Sequence, residues 1–162
     1  MKRVAIHEAG HAVMHYLEHV PFESVTIVPD PELRADGAVH PRVGPLSLWD
    51  RQRPKTIRIL MGGKVAEEFF TGKPVKRACQ GDLNLAACIA DELAEERASD
   101  ADALLAAAYV TARNVLAVAS VWAAVEALAS ALMERRKLSA RQAYRVIRAA
   151  LPKPTNTGQA AR

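Results

Sequence analysis

The chain has 162 residues, half of them hydrophobic, which favours one compact domain that buries roughly 68–70% of the surface exposed by the unfolded chain. Its net charge of +4 is unevenly spread, because residues 134–162 carry eight basic residues and one acidic residue, whereas residues 1–133 carry 14 basic and 17 acidic residues. Two cysteines are too few for the disulfide framework of a small secreted domain. The histidine-rich N-terminal stretch also lacks the apolar core of a secretory signal. We therefore expect a cytoplasmic protein.

The first predicted element is a helix from Val4 to His19, which Pro21 ends. Gly10 lies in its middle, where glycine costs about 1 kcal/mol relative to alanine, and this predicts that another element packs closely against the backbone there. Apolar residues recur at helical spacing on one face of this helix, and three of its histidines lie on an adjacent stripe. The apolar residues are Ile6, Val13, Leu17 and Val20, and the stripe holds His7, His11, Met14 and His15.

A small sheet is predicted after this helix. Residues 22–29, with the sequence FESVTIVP, are rich in β-branched residues, and Gly37–His40 (GAVH) are expected to return beside them as a second short strand. Residues 29–54 contain five prolines and two glycines, which predicts a long irregular segment of the kind that often borders a binding cleft.

Two helices are predicted next. One starts at Pro54 and ends near Gly72, and the pair Gly62 and Gly63 again predicts close packing. The other starts near Asp82 and runs to Glu96, with an acidic outer face. Its inner face is predicted to hold Leu85, Cys88, Ile89 and Leu93.

Three further helices complete the prediction. Ser99 or Asp100 caps the first, which runs to about Ala119; residues 120–137 form its successor, and Ser139 caps a last helix to Leu151. The most membrane-like stretch, residues 115–133, is interrupted by Glu126, so we expect a packed helix and no membrane span. We expect one domain over residues 1–151 and a disordered tail over residues 152–162.

His7, Glu8 and His11 form the pattern HExxH. Histidines four apart on a helix project from one face with Cβ atoms roughly 5–6 Å apart, so both imidazoles can reach one ion. Zinc held in this way keeps a position for water, lowers the pKa of that water towards about 7 and polarises a carbonyl oxygen. Glu8 is placed to take the proton of the water and pass it to the leaving amine. The alternative is a surface helix that carries the pattern by coincidence.

A zinc site of this kind needs a third ligand, and several residues stay open on chemistry alone. The long metzincin pattern is excluded, because Met14 and Leu17 stand where it requires Gly and His. His15 lies two helical turns from His7, too far along the axis to share one ion easily, which favours a role in supporting a ligand or lining the cleft. The open candidates are His40, Glu67, Glu68, Cys79 and Asp82.

Family resemblance narrows this choice. Five segments resemble, in order and spacing, the peptidase domain of the FtsH-type, AAA-linked zinc proteases: HEAGHAV, SVTIVP, MGGKVAEEFF, GDLNLAACIA and LASALMERRKLS. The resemblance covers nearly the whole chain. It implies a mononuclear zinc endopeptidase with one Zn²⁺ per chain, in which His7, His11 and Asp82 hold the metal and Glu8 is the base.

The resemblance also implies a fold and a place for the substrate. The fold is mainly α (α+β), a helical zincin-like domain with a small β-sheet after the HExxH helix and a C-terminal helical bundle. A polypeptide substrate would lie extended along a sheet edge, for which the candidate residues are Gly37, Ala38, Val39 and His40.

Three more residues near this site carry predictions of their own. A zinc-bound imidazole usually donates its other N–H to a carboxylate or a carbonyl, and the carboxylate of Glu67 or Glu68 could accept that hydrogen bond. The alternative for each glutamate is a position on a solvated helix face. Cys79, three residues before Asp82, is either a partly buried free cysteine or a thiolate at the open metal position.

The FtsH-type enzymes carry an ATPase, but this sequence has no Walker A motif, because GGKV lacks the spaced upstream glycine and the Ser or Thr that holds magnesium. We therefore expect ATP-independent cleavage of flexible or unfolded polypeptides, with a separate ATPase or self-assembly into a homo-oligomer as the partners to consider.

The alternative function is a non-catalytic, zinc-containing interaction protein that uses its basic C-terminal helix. Arg141, Arg145 and Arg148 form one stripe of that helix. A solvated helix face is the simpler interpretation of the stripe, and binding of nucleic acid is the less expected one.

Overall fold

The computed structural model describes residues 1–30, 36–42, 46–74 and 80–152, and only the backbone of residues 46–50. These residues form six helices and a three-stranded sheet. The mainly α class with a small sheet is thereby confirmed. The elements in chain order are α1 Lys2–Leu17, β1 Phe22–Thr26, β2 Ala38–Pro41, α2 Leu46–Thr71, α3 Gln80–Arg97, α4 Ala101–Leu116, α5 Ala119–Arg135, β3 Lys137–Ser139 and α6 Ala140–Ala150.

Helix α1 is the central element of the fold. Every residue from Ala5 to His15 is buried, because α1 packs against α2, α5, α6 and two strands of the sheet. Small side chains make this possible, since Ala5, Ala9 and Ala12 are fully buried and let neighbouring elements approach from several sides. The histidine stripe of α1 is therefore inside the protein and not on a surface helix.

Glycines bring α1 and α2 into backbone contact. A Cβ at Gly10 would lie 2.6 Å from the Cβ of Ala66 and 2.6 Å from the carbonyl oxygen of Gly62. A Cβ at Gly62 would in turn lie 2.6 Å from Cγ of Met14. These separations are far below van der Waals contact, which confirms the close packing predicted at Gly10 and at Gly62.

The sheet has the order β2-β1-β3, with both pairs antiparallel. Val25 in the middle of β1 pairs with Val39 on one side and Leu138 on the other. Among the described residues β2 is an outer strand, so one of its edges is left without a strand partner. β3 was not predicted, because a three-residue strand with only Leu138 buried is too short to show an alternating pattern.

Helix α2 begins earlier than predicted. It runs from Leu46, with Pro54 inside it, so the predicted helix start at Pro54 is wrong and residues 46–53 do not belong to an irregular segment. Proline removes one helical hydrogen bond, but the residues on either side of it are held by other elements. Arg53 binds Glu96 of α3 through two contacts of 2.7 and 2.9 Å, and Lys55 donates to the carbonyl oxygen of Glu18.

Helix α3 buries a different face from the predicted one. Ile89 and Leu93 are buried as expected, but Leu85 and Cys88 are exposed, so these two predictions are wrong. The inner stripe runs through Ala86, Ile89, Ala90 and Leu93. Asp82 precedes Ala86 by four residues and therefore points to the same side, towards α1.

The predicted helix starts in the C-terminal half are confirmed. The Asp100 side chain accepts from the backbone N–H groups of Asp102 and Ala103, and Ser139 forms a capping box with Gln142. No single helix of the described chain is long and apolar enough to cross a membrane; α4 and α5 meet those criteria only as a pair, bent by 86°. The predicted disordered tail, apart from Pro152, lies outside the described residues.

We expect Gly10→Ala to lower the free energy of unfolding by about 1–3 kcal/mol, since the added methyl group overpacks the α1–α2 contact by more than the gain in helix propensity can offset. Chemical denaturation with circular dichroism measures this. Gly81→Ala is the control, because a Cβ there meets no atom within 4 Å and the residue lies in the first turn of α3. An equal loss in both variants would contradict the proposed packing constraint.

Candidate metal centre

Three side chains from two helices converge on one point. His7 and His11 lie one turn apart on α1, and Asp82 lies in the first turn of α3. Nε2 of His7 is 3.0 Å from Nε2 of His11, and Oδ2 of Asp82 is 3.1 Å from the former and 3.3 Å from the latter. The structure thus brings together the three residues that the resemblance implied as metal ligands.

The opposite nitrogen of each imidazole is also engaged. Nδ1 of His11 lies 2.8 Å from the carbonyl oxygen of Ile59, and Nδ1 of His7 lies 3.3 Å from a carboxylate oxygen of Glu67. Both partners are acceptors, so they favour a proton on each Nδ1, and in the neutral imidazoles each Nε2 then keeps a lone pair. These contacts fix the tautomer in which both Nε2 atoms are available to a cation.

The cluster fits a tetrahedral zinc ion. Ligand atoms about 2.0–2.1 Å from such an ion lie about 3.3 Å from one another, close to the separations observed here. The two lone pairs and the carboxylate oxygen are all acceptors, and they would repel one another without a positive charge between them. Two imidazoles and one carboxylate also match the ligand types that zinc prefers.

The local electrostatics favour a positive charge at this point. Burial opposes protonation of His11, but Asp82 and Glu8 outweigh it and raise the pKa of His11 to about 9. Burial of Asp82 acts against its ionisation, yet His11 and His7 hold the pKa of that carboxyl well below its usual range. The dipole of α3 also favours a carboxylate in its first turn.

Glu8 lies in the cleft beside this cluster. Its side chain is buried, and burial raises the pKa of its carboxyl, while His11 and His7 oppose that rise. A Cβ at Gly37 would lie only 2.9 Å from Oε1 of Glu8, so the absence of a side chain at Gly37 leaves room for the carboxylate. Glu8 is therefore held between the histidines and the residue that precedes β2.

The cleft has a volume of about 380 Å³ and is bordered by both helices of the cluster and by β2. Gly37, Ala38 and Val39 line it, as predicted for substrate-binding residues. His40 is not among its lining residues; it pairs with Ser24 of β1 and is half-buried.

The structure separates the two glutamates that the sequence left equivalent. Glu67 is buried, accepts from His7 and forms an ion pair of 2.9 Å with Nε of Arg3. Glu68 accepts from Lys64 and from the Tyr109 hydroxyl of α4, so those contacts direct it away from the histidines. A helix turns by about 100° per residue, so the side chains of Glu67 and Glu68 leave α2 in different directions.

His15 lines the cleft but lies apart from the three converging side chains. Its Nδ1 donates to the carbonyl oxygen of Val20 at 3.0 Å, just beyond the end of α1. Burial lowers the pKa of His15 to about 4, partly opposed by that hydrogen bond. Cys79, the other residue considered for the site, lies outside the described residues.

Two supporting contacts were missed by the sequence analysis. Arg3 stands one turn before His7, a spacing that indicates a shared face but not a carboxylate partner on another helix. The Ile59 carbonyl that accepts from His11 has no sequence signal at all, because any residue type supplies a backbone carbonyl.

Comparison with known proteins agrees with this geometry. A family model of peptidase family M41 matches residues 1–98, which contain all three converging side chains and Glu8. An "ATP-dependent zinc metalloprotease FtsH" of Chlamydia trachomatis is 37% identical over 86 residues, which cover 51% of this chain and 9% of that protein.

Two further relatives give the same result. The protein of the same name from Borreliella burgdorferi is 36% identical over 94 residues, which cover 57% of this chain and 15% of that protein. An "ATP-dependent zinc metalloprotease YME1 homolog" of Caenorhabditis elegans is 30% identical over 95 residues, 57% of this chain and 13% of that protein. The matches thus span only between 9% and 15% of the length of these relatives.

We expect Asp82→Ala to lower zinc affinity by at least about 100-fold, and Glu67→Gln by about 10–100-fold through the lost support of His7. Glu68→Gln is the matched control and should leave zinc affinity unchanged, because its contacts lie with Lys64 and Tyr109. Competition titration against a chromophoric chelator measures all three. Equal losses in Glu67→Gln and Glu68→Gln would disprove the distinct role of Glu67.

We expect buried His15 to make the protein less stable in weak acid. Its pKa is about 4 in the folded state and 6.5 in the unfolded state, so between these values the unfolded chain binds more protons. The stabilisation is present above pH 6.5 and is lost as pH falls towards 4, at most about 3 kcal/mol.

His15→Asn keeps an N–H donor for Val20 but does not titrate in this range. Thermal unfolding in chelator, from pH 7 to pH 4.5, should therefore show a shallower decline in melting temperature for His15→Asn than for the wild type. Parallel declines would show that His15 is not a buried neutral histidine.

Proposed function

Because this chain belongs to peptidase family M41, we propose that it is a zinc-dependent endopeptidase that hydrolyses peptide bonds of flexible or unfolded polypeptides. One observation carries the proposal. His7, His11 and Asp82 converge on a point that fits zinc, and the buried carboxylate of Glu8 lies in the same cleft.

In the proposed site His7, His11 and Asp82 hold one zinc ion. When bound, the ion lowers the pKa of a water molecule and polarises the carbonyl of the scissile peptide bond. Three protein ligands, in place of the four usual in structural zinc sites, would leave one ligand position of such an ion to water or substrate. Glu67 and the Ile59 carbonyl keep the two imidazoles in the tautomer and orientation that this requires.

Glu8 serves as the proton carrier. Its carboxylate accepts a proton from the attacking water and delivers it to the nitrogen of the departing amine. Burial raises the pKa of Glu8 and so makes the carboxylate a stronger base than one in water. Gly37 keeps the space around this carboxylate free of a side chain.

The outer edge of β2 is the proposed binding surface for the substrate. β2 borders the cleft, and an extended peptide can add to the edge of β2 that has no strand partner among the described residues, through main-chain hydrogen bonds that do not depend on sequence. Only a polypeptide segment released from its own fold can adopt that extended conformation. Flexible or unfolded chains are therefore the proposed substrates.

The proposed chemistry uses zinc, water and Glu8, none of which needs a nucleotide, so hydrolysis by this polypeptide is proposed to be independent of ATP. The similar proteins are named ATP-dependent, and the partners proposed for this chain are a separate ATPase or further copies of itself in a homo-oligomer. The proposed location is the cytoplasm.

The rival function is a zinc-containing interaction protein without catalysis. The exposed arginines of α6 favour it, because they offer a charged surface remote from the metal ligands in sequence. Glu8 argues against it, since a structural zinc site has no need of a base and burial of a carboxylate is costly.

We expect Glu8→Gln to retain zinc and thermal stability but to lose hydrolysis by about 10²–10⁴-fold, since glutamine keeps the size of the side chain and removes its basicity. A fluorogenic unfolded protein assays the activity, and metal analysis measures the zinc.

His11→Ala should instead lose zinc and activity together, which separates the two roles. If the wild type and Glu8→Gln were equally inert with zinc fully bound, the interaction-protein alternative would replace the proposed enzyme.

A further inference from the structure

A second groove lies on the C-terminal helix. It has a volume of about 980 Å³ and a partly aromatic wall formed by Tyr16 and Tyr144. Three exposed arginines also border it, and none of its lining residues is acidic. These arginines, Arg141, Arg145 and Arg148, are called the arginine stripe below.

The arginine stripe has no internal counter-charge in the described parts of the chain. Arg3, Arg53 and Arg58 pair with carboxylates, but none of the three stripe residues forms an ion pair or a side-chain hydrogen bond with any described residue. The last ten residues of the given sequence carry Lys153 and Arg162 and no acid, so they supply no counter-charge to the stripe. The complementary occupant is acidic.

The groove is connected to the catalytic cleft through α1 and β1. His15 lines the cleft and its neighbour Tyr16 lines the groove. The rings of His15 and Phe22 are 5.5 Å apart, those of Phe22 and Tyr144 are 5.1 Å apart, and those of Tyr144 and Tyr16 are 5.5 Å apart. One continuous aromatic cluster therefore lies between the cleft and the groove and is part of the wall of both.

The direction of β2 shows which part of a substrate would reach the groove. Gly37, which lies next to Glu8, directly precedes β2; the strand starts at Ala38 and ends at Pro41, which pairs with Phe22. A peptide that adds antiparallel to β2 runs the opposite way, so its N-terminal part leaves the cleft at the Pro41 end. Pro41 is linked to the groove through its strand partner Phe22, whose ring contacts that of Tyr144 in the groove wall.

We propose that the arginine stripe and the tyrosines beside it form a second binding site for the substrate, which takes an acidic segment on the N-terminal side of the bond to be cleaved. This inference rests on the proposed peptidase function. Arg141 and Arg145 are about 6 Å apart along the helix axis, and alternate side chains of an extended peptide are about 7 Å apart. Acidic side chains at every second position therefore match the spacing of Arg141 and Arg145.

The small size of the stripe favours a polypeptide over a nucleic acid. Proteins that bind nucleic acid through phosphates commonly make about 6–10 such contacts, whereas the groove offers three arginines on a chain whose residues 1–133 are net acidic. A peptide already held in the cleft needs far fewer ionic contacts at the groove, because tethering gives its acidic segment a high effective concentration there.

Binding can be measured without hydrolysis in the full chain carrying Glu8→Gln and loaded with zinc. Three fluorescent peptides of equal length share one cleavable core: the first has alternating aspartates N-terminal to the core, the second has them C-terminal, and the third has asparagines instead. We expect the N-terminal acidic peptide to bind roughly tenfold more tightly than the other two at low salt, in keeping with three exposed ion pairs.

Arg141→Gln/Arg145→Gln/Arg148→Gln should abolish this preference, and Arg145→Gln alone should weaken it. The matched control is Arg51→Gln/Lys73→Gln/Arg97→Gln, which removes three exposed charges outside the groove and should keep the preference. In the active enzyme the N-terminal acidic peptide should have a lower KM than the other two peptides. Its kcat should be unchanged, because the groove does not contact the reacting bond.

The proposal is overturned if the three peptides bind equally, if the preference survives in the triple stripe variant, or if an oligothymidylate of equal charge binds more tightly than the acidic peptide. Failure of the proposed function gives a different result: no hydrolysis in the wild type, with the acidic preference in binding intact, would refute catalysis and still support the groove.

Discussion

The structure depends on one close contact, the backbone approach of α1 and α2 at Gly10 and Gly62. This approach places the carbonyl of Ile59 within hydrogen-bond reach of His11 and the carboxylate of Glu67 within reach of His7. Gly63 contributes a further requirement, because a side chain there would overlap the imidazole of His11. The helix pair therefore acts as a rigid support, and the geometry of the candidate metal centre is set by packing between the helices that involves no metal.

Helix α3 completes the centre from a different direction. Asp82 lies at its start, while Arg53 of α2 binds Glu96 near its other end. The inner stripe of α3 consists of small or apolar residues, which lets the helix lie flat against its neighbours and aims Asp82 at the histidines. The precise position of this carboxylate is thus set by contacts spread over the whole length of the helix.

The sequence predicted those features that depend on spacing within one element. The pair His7 and His11, the cap at Asp100 and the glycine contacts all follow from local patterns. The assignment of Asp82 as a ligand depended on family resemblance, because Asp82 lies 71 residues after His11 in the chain. The choice between Glu67 and Glu68, the exposure of Leu85 and Cys88, and the start of α2 depend on helix rotation and on contacts between helices, which no single-chain periodicity encodes.

The position of Asp82 has a consequence for stability as well as for chemistry. An ion bound to His11 and Asp82 would be a cross-link between residues 71 positions apart, closing a loop that comprises nearly half of the chain. Closure of such a loop removes conformational freedom from the unfolded chain and, on the entropy model used for disulfides, corresponds to a stabilisation on the order of 4 kcal/mol. The metal would thus be a structural clamp in addition to a reagent, and sequestering it would loosen the attachment of α3 to the remainder of the fold.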